Sequence, residues 1–129
     1  MLYIADTHSL IWFLTDSGNL SKRAKGVFDG VEKGKDIIII PTIVLAELLY
    51  LCEKKKIEEK FNQIIKIIKN GSNYSSYDLD LEIIEECQTL IKIKEIHDKI
   101  IVATTKILNG ILITKDSEII SSKYVETVW

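Results

Sequence analysis

The sequence predicts an α/β fold: a three-layer α/β/α arrangement around a central parallel sheet. Three observations carry that expectation. Short apolar runs such as Ile37-Ile38-Ile39-Ile40 and Ile111-Leu112-Ile113-Thr114 punctuate the chain. The first is wholly β-branched with no polar alternation, which marks a strand covered on both faces, as parallel strands are. Between the runs lie segments whose apolar residues recur at helical spacing, and strands alternating with helices imply βαβ units. The 129 residues are expected to form a single domain spanning 1–129, because halves of it would be too small for stable cores.

Taken in order, Leu2-Tyr3-Ile4-Ala5 reads as a short buried strand ending at Asp6. Ser9 to Leu14 reads as a helical turn or two, closed by the turn residues Asp16-Ser17-Gly18-Asn19. Ser21 is placed to cap a helix reaching about Val31, with Ala24, Val27, Phe28 and Val31 on one face. After the Ile37–Ile40 strand, Pro41 stops the ladder and Thr42 is placed to cap a helix to about Glu53. Ile57 to Lys69 repeats Phe61, Ile64, Ile65 and Ile68 at helical spacing and ends at Asn70-Gly71. Tyr74–Tyr77 fits a short strand, and Asp78 or Asp80 opens a helix through Ile83, Ile84, Cys87, Leu90 and Ile91. A helix from about Asp98 to Leu108 closes at Asn109-Gly110. Ile111–Thr114 is then a strand leading to Lys115-Asp116, and Tyr124–Val128 a last one.

Composition narrows the function classes. At 47% hydrophobic and 28% charged residues, the chain is that of a soluble globular protein rather than a disordered one. Its apolar runs are far too short for a membrane span. Met1 leads straight into the first strand with no basic n-region, so the expected compartment is the cytoplasm. Cys52 and Cys87 each stand apart from any second Cys or His at metal spacing, and read as buried free thiols. A net charge of −2 argues against binding nucleic acid by bulk electrostatics. It does not exclude a nuclease whose acids are filled by cations.

Four acids stand out. Asp6 and Asp116 each follow a strand, so both project from the carboxyl edge of the sheet, where open α/β sheets collect their function. A doubly wound order makes their two strands neighbours. Either acid is equally suited to capping the structure after its strand. Glu47 lies in Ile43-Val44-Leu45-Ala46-Glu47-Leu48-Leu49-Tyr50-Leu51, where a carboxylate is costly unless paired, solvated or bound to a cation. Asp98 opens Ile96-His97-Asp98-Lys99-Ile100-Ile101-Val102-Ala103 with Ile101 and Val102 above it, on an inward face unless it is merely the cap. Together these acids offer hard oxygen ligands suited to Mg²⁺ or Mn²⁺. Such clusters serve phosphodiester hydrolysis, which needs no nucleophilic side chain. Thr114, two residues before Asp116 on the same side of its strand, is placed to hydrogen-bond a carboxylate or a water. His8 and His97 stand alone, and Lys54-Lys55-Lys56 with Glu58 and Glu59 reads as a solvated face.

At this point the chain resembles the PIN-domain family, and within it the VapC-like toxins of prokaryotic toxin–antitoxin pairs. The matching stretches are Tyr3-Ile4-Ala5-Asp6-Thr7-His8 with Leu10-Ile11-Trp12, and Pro41-Thr42-Ile43-Val44-Leu45-Ala46-Glu47-Leu48. Two more follow: His97-Asp98-Lys99-Ile100-Ile101-Val102-Ala103-Thr104 and Leu112-Ile113-Thr114-Lys115-Asp116. The resemblance implies divalent-metal-dependent RNA cleavage at Asp6, Glu47, Asp98 and Asp116, with Thr114 as the supporting hydroxyl. It also implies a homodimer and a protein antitoxin; Trp12 and Phe61 are as well suited to such interfaces as to the core. Two other readings remain open. One is a PIN-like module that binds RNA or protein without cutting. The other is a phosphoacceptor receiver domain, which would need paired acids after the first strand where Asp6 stands alone.

Overall fold

The computed structural model describes residues 1–71 and 73–129. Its strands are β1 (Leu2–Ala5), β2 (Ile37–Pro41), β3 (Tyr74–Tyr77), β4 (Ile111–Ile113) and β5 (Glu126–Val128). The helices are α1 (Thr7–Leu14), α2 (Lys22–Glu32), α3 (Thr42–Lys55), α4 (Glu58–Lys69), α5 (Leu81–Cys87), α6 (Ile96–Leu108) and α7 (Ser117–Ser122). All strand pairs are parallel, in the order β3-β2-β1-β4-β5. This is the expected three-layer α/β/α arrangement. A receiver-type doubly wound sheet runs 2-1-3-4-5, so the observed order sets that rival aside.

The central strands show why the order holds. Consecutive residues Ile4 and Ala5, and Leu112 and Ile113, are all fully buried. Since neighbours on a strand point to opposite faces, both faces of β1 and β4 are covered. The register sets Ile4 beside Ile39 on one side and Leu112 on the other. β2 departs from the expectation of complete burial. Ile38 and Ile40 are buried, Ile39 is half-buried, and Ile37 at the strand's start is exposed. One face of that strand is only partly roofed, although β4 lies equally near an edge and is covered on both faces. Gly110 precedes β4 where a side chain would run into Ile4 and the Leu2 carbonyl oxygen. Asn109 supplies the left-handed turn before it, at φ 53°.

Helix ends differ from expectation in several places. Ser21 caps α2 as expected, accepting from the Ala24 amide at 3.0 Å. Thr42 does not cap α3; Pro41 occupies the cap position, and the Thr42 hydroxyl accepts from the Leu79 amide at 3.1 Å. Of the two candidates before α5, Asp80 is the cap. That helix stops at Cys87, short of the expected Ile91, because the following amides turn back to carbonyls three residues earlier. Leu90 and Ile93 remain fully buried in that turn, so apolar spacing continues where the helix does not. Helix α7 was not expected. Cys52 and Cys87 are buried free thiols, as expected. Lys54, Lys55 and Lys56 are exposed. Among the described residues no helix is long and apolar enough to cross a membrane.

Candidate active site

The chain builds outward from β1 through β2 to β3, then returns to place β4 on the other side of β1. A crevice opens at the carboxyl ends of strands where the order reverses in this way. Asp6 and Asp116 sit there. Ala5 pairs with Ile113, and the Asp6 amide donates to the Ile113 carbonyl at 3.4 Å. Both acids also cap the helices that follow. Asp6 Oδ1 accepts from the Ser9 amide at 2.9 Å, starting α1 two residues before the expected Ser9. Asp116 Oδ1 accepts from the Ile119 amide at 2.9 Å. The capping role and the site role therefore coincide: each cap uses one oxygen, and a carboxylate has acceptor capacity to spare. The partial positive charge of each helix start also favours an anion there.

Glu47 and Asp98 arrive on helices. Glu47 is half-buried on α3, and the Thr7 hydroxyl donates to its Oε1 at 2.8 Å. Helix α6 begins at Ile96, earlier than expected, and Glu95 is its cap, with Oε2 accepting the Asp98 amide at 2.9 Å. The Asp98 carboxyl is thus released from capping and lines a cavity of about 890 Å³ with Asp6, Glu47 and Asp116. Thr114 is fully buried. Its Oγ1 accepts from the Asp116 amide at 3.1 Å, and its hydroxyl lies beside the Asp6 carboxyl.

The charges feel one another. Burial, then the negative charges of Asp116, Glu95, Glu47 and Asp6, push the Asp98 carboxyl up to about 6. Burial also raises Asp6, opposed by hydrogen bonds from Thr114 and Ser9 and by the charge of His8. His97 is raised chiefly by its hydrogen bond with Glu95, whose Oε1 lies 2.6 Å from Nδ1. Glu95 is itself pulled below the usual range by its bonds to the Asp98 and His97 amides and to the His97 ring, which outweigh its burial.

This donor set suits a hard divalent cation. The ligands are carboxylate oxygens with hydroxyls behind them, and both thiols are buried in the core. Burial first, and then the neighbouring anions, raise Asp98; a cation bound among the acids would favour its charged form. Among the described residues, no three His, Cys, Asp or Glu side chains already stand as a ligand set for one ion. The acids share a cavity without having closed on a centre.

Reasoning from residues alone missed Thr7 as the partner of Glu47 and Glu95 as the cap of α6. Glu95 carried little signal, because Glu is not among the favoured helix caps. Thr7 carried none, because its bond spans 40 positions.

The model of the PIN domain matches residues 3–123. This chain belongs to the PIN domain family. PIN domains are nucleases, and the acidic cavity lies where that chemistry is expected. Solved structures agree on the fold. VapBC2 from Rickettsia felis, bound to a DNA fragment from their promoter, has a TM-score of 0.75 at 19% identity, covering 99% of this chain and 98% of that one. A toxin–antitoxin complex from Klebsiella pneumoniae scores 0.72 at 18% identity, over 98% and 96%. DNA-bound VapBC from Salmonella typhimurium scores 0.73 at 16% identity, over 99% and 98%. No curated protein sequence matches this PIN domain.

Proposed function

We propose that this PIN domain protein is a Mg²⁺- or Mn²⁺-dependent endoribonuclease, acting in the cytoplasm as the toxin of a toxin–antitoxin pair. The observation that carries the reading is the meeting of Asp6, Glu47, Asp98 and Asp116 in one cavity at the sheet's switch point. The likeness in fold to toxin–antitoxin complexes supports it, since each chain covers nearly the whole of the other. In this reading residues 1–129 are one domain, and the partners are an antitoxin protein and a second copy of the chain.

Asp6, Asp98 and Asp116 would hold the ion, directly or through water, while Glu47 would complete the opposite side and help activate the attacking water. A bound ion of this type lowers the pKa of water, orients the scissile phosphate and neutralises the leaving oxygen. The protein's own residues do the positioning. Thr7 fixes the Glu47 rotamer. Thr114 and Ser9 draw Asp6 back toward its charged, ligating form against the pull of burial. The helix starts at Asp6 and Asp116 hold those carboxylates at fixed points on the sheet edge.

The test is cleavage of structured and single-stranded RNAs with Mg²⁺, Mn²⁺ or EDTA, comparing wild type with Asp6→Asn. Metal-dependent cutting that disappears in the variant supports the reading; cutting at the wild-type rate in Asp6→Asn overturns the assignment. One observation favours a rival, a non-cleaving RNA- or protein-binding module: among the described residues the acids do not already form an ion's ligand set. Calorimetric titration with Mg²⁺ bears on the choice, because an inert scaffold need not bind the ion.

A further inference from the structure

The acidic cavity is larger and more apolar than an ion and a phosphate require. Its volume of about 890 Å³ is that of a pocket for a drug-sized ligand. Trp12, Ile43, Tyr50 and Ile101 line it beside the carboxylates. Two of these are aromatic and come from different helices. Tyr50 stands on α3 three residues beyond Glu47, so the two side chains are neighbours on one helix face. Tyr50 is 64% exposed and lines the cavity rather than packing into the core. Trp12 on α1 is fixed in place by Trp129, edge-on at 5.8 Å, and by His8 at 5.4 Å. Lys115 Nζ lies 4.7 Å over the indole, on the residue next to Asp116. Lys115 also lines the cavity, so a positive charge stands against the aromatic wall.

We propose that Trp12 and Tyr50 form a stacking wall for one unpaired nucleobase beside the phosphodiester at the acids, with Lys115 meeting the neighbouring phosphate. The inference rests on the nuclease reading and names the substrate feature that the cavity selects. A net charge of −2 leaves little bulk attraction for a polyanion, and the acids repel one until a cation is bound. Stacking supplies affinity that neither charge nor sequence governs, since every base has a π-face. A base held in a duplex cannot enter such a pocket, so the site takes single strands, loops or extruded nucleotides.

The experiment measures fluorescence anisotropy of labelled twelve-nucleotide oligo(A) and of an abasic ribose-phosphate chain of equal length. The protein is the full chain carrying Asp6→Asn, in Mg²⁺, so that neither probe is cut. The base-bearing chain should bind roughly 5- to 150-fold more tightly, the range that loss of a stacking ring costs. That preference should shrink in Trp12→Leu and, separately, in Tyr50→Ala. Tyr50→Ala guards against a folding artefact, because its exposed ring supports no core. Equal binding of both probes, or a preference unchanged in both variants, overturns the proposal. The outcomes also separate it from the reading beneath it. Cleavage by the wild-type protein with no base preference removes the wall and leaves the nuclease. A base preference that the variants abolish, in a protein that cuts nothing, keeps the wall and removes the nuclease.

Discussion

The two acids that follow strands and the two that ride on helices differ in what the fold asks of them. Asp6 and Asp116 each accept an amide hydrogen bond that starts a helix, at 2.9 Å in both cases. Glu47 and Asp98 start nothing: α3 is led by Pro41 and α6 by Glu95. The strand acids are therefore held by structural bonds that exist before any ligand arrives. The helix acids stay in the cavity because a second residue arranges it, Thr7 for Glu47 and Glu95 for Asp98. Half of the site is thus tied to the stability of the fold, and half can be removed without breaking a cap.

The largest effect should come from a change that keeps the cap and removes the charge. Asp6→Asn retains an oxygen for the Ser9 amide but loses an anionic ligand. Cleavage of any RNA cut by the wild type should fall more than the roughly 10- to 100-fold that loss of an outer partner costs. Circular dichroism should show the fold intact. Next in size is Thr7→Val, which frees Glu47 while sparing its charge. Loss of the 2.8 Å bond should slow cleavage about tenfold, equivalent to about 1.4 kcal/mol, through kcat rather than KM. A rate equal to wild type would mean that Glu47 needs no anchor, and the contrast between the two pairs of acids would weaken.

How much of this was legible in the chain follows the same division. Asp6 and Asp116 could be placed from sequence, because a short apolar run ending in an acid fixes both the strand and the edge from which the acid projects. The identity of the neighbour to β1 was less direct, resting on an assumed doubly wound order that the β1–β4 pairing now shows. Glu47 was visible as a charge in an apolar helix. The start of α6 was displaced by two residues because Asp is a favoured cap and Glu is not, and only the hydrogen bond to Glu95 decides between Asp98 and Glu95. Helix α7 escaped notice since Ser117–Ser122 holds two apolar residues, too few for a period to show. The Thr7–Glu47 bond was invisible for a different reason: nothing local in the sequence reports a contact that tertiary packing creates.

Stability distinguishes the capping acids at the level of about 1 kcal/mol. Asp6→Ala removes the α1 cap that Asp6→Asn keeps, and loss of such a cap typically costs about 0.5–2 kcal/mol. Urea midpoints should therefore rank Asp6→Asn above Asp6→Ala, and Asp116→Asn above Asp116→Ala. Glu47 has no cap to lose, so Glu47→Gln and Glu47→Ala should lie much closer together. A gap at Glu47 as wide as at Asp6 would show that capping is not what separates the two groups.

The smallest effect, and the one that isolates the cost of charging Asp98 where it is partly buried among other acids, is the pH dependence of Asp98→Asn in EDTA. The Asp98 carboxyl sits at about 6 in the fold, against an ordinary value of 3.8. Between those values the folded protein holds a proton that the unfolded chain has released, so the native state loses stability as pH rises. Below about pH 3 both states are protonated at this group and wild type and variant should unfold alike. Above about pH 6 the penalty is complete, and the variant should be the more stable by about 1 kcal/mol once screening at this half-exposed group is allowed for. Excess Mg²⁺ should close or reverse the gap at pH 7, because an ion that binds only the folded wild type stabilises it by mass action. A gap that keeps its size from pH 3 to 7 would remove the ionisation of Asp98 as its cause. A gap that closes with Mg²⁺ at pH 7 but is absent at pH 3 would tie the strain at Asp98 to the ion that relieves it.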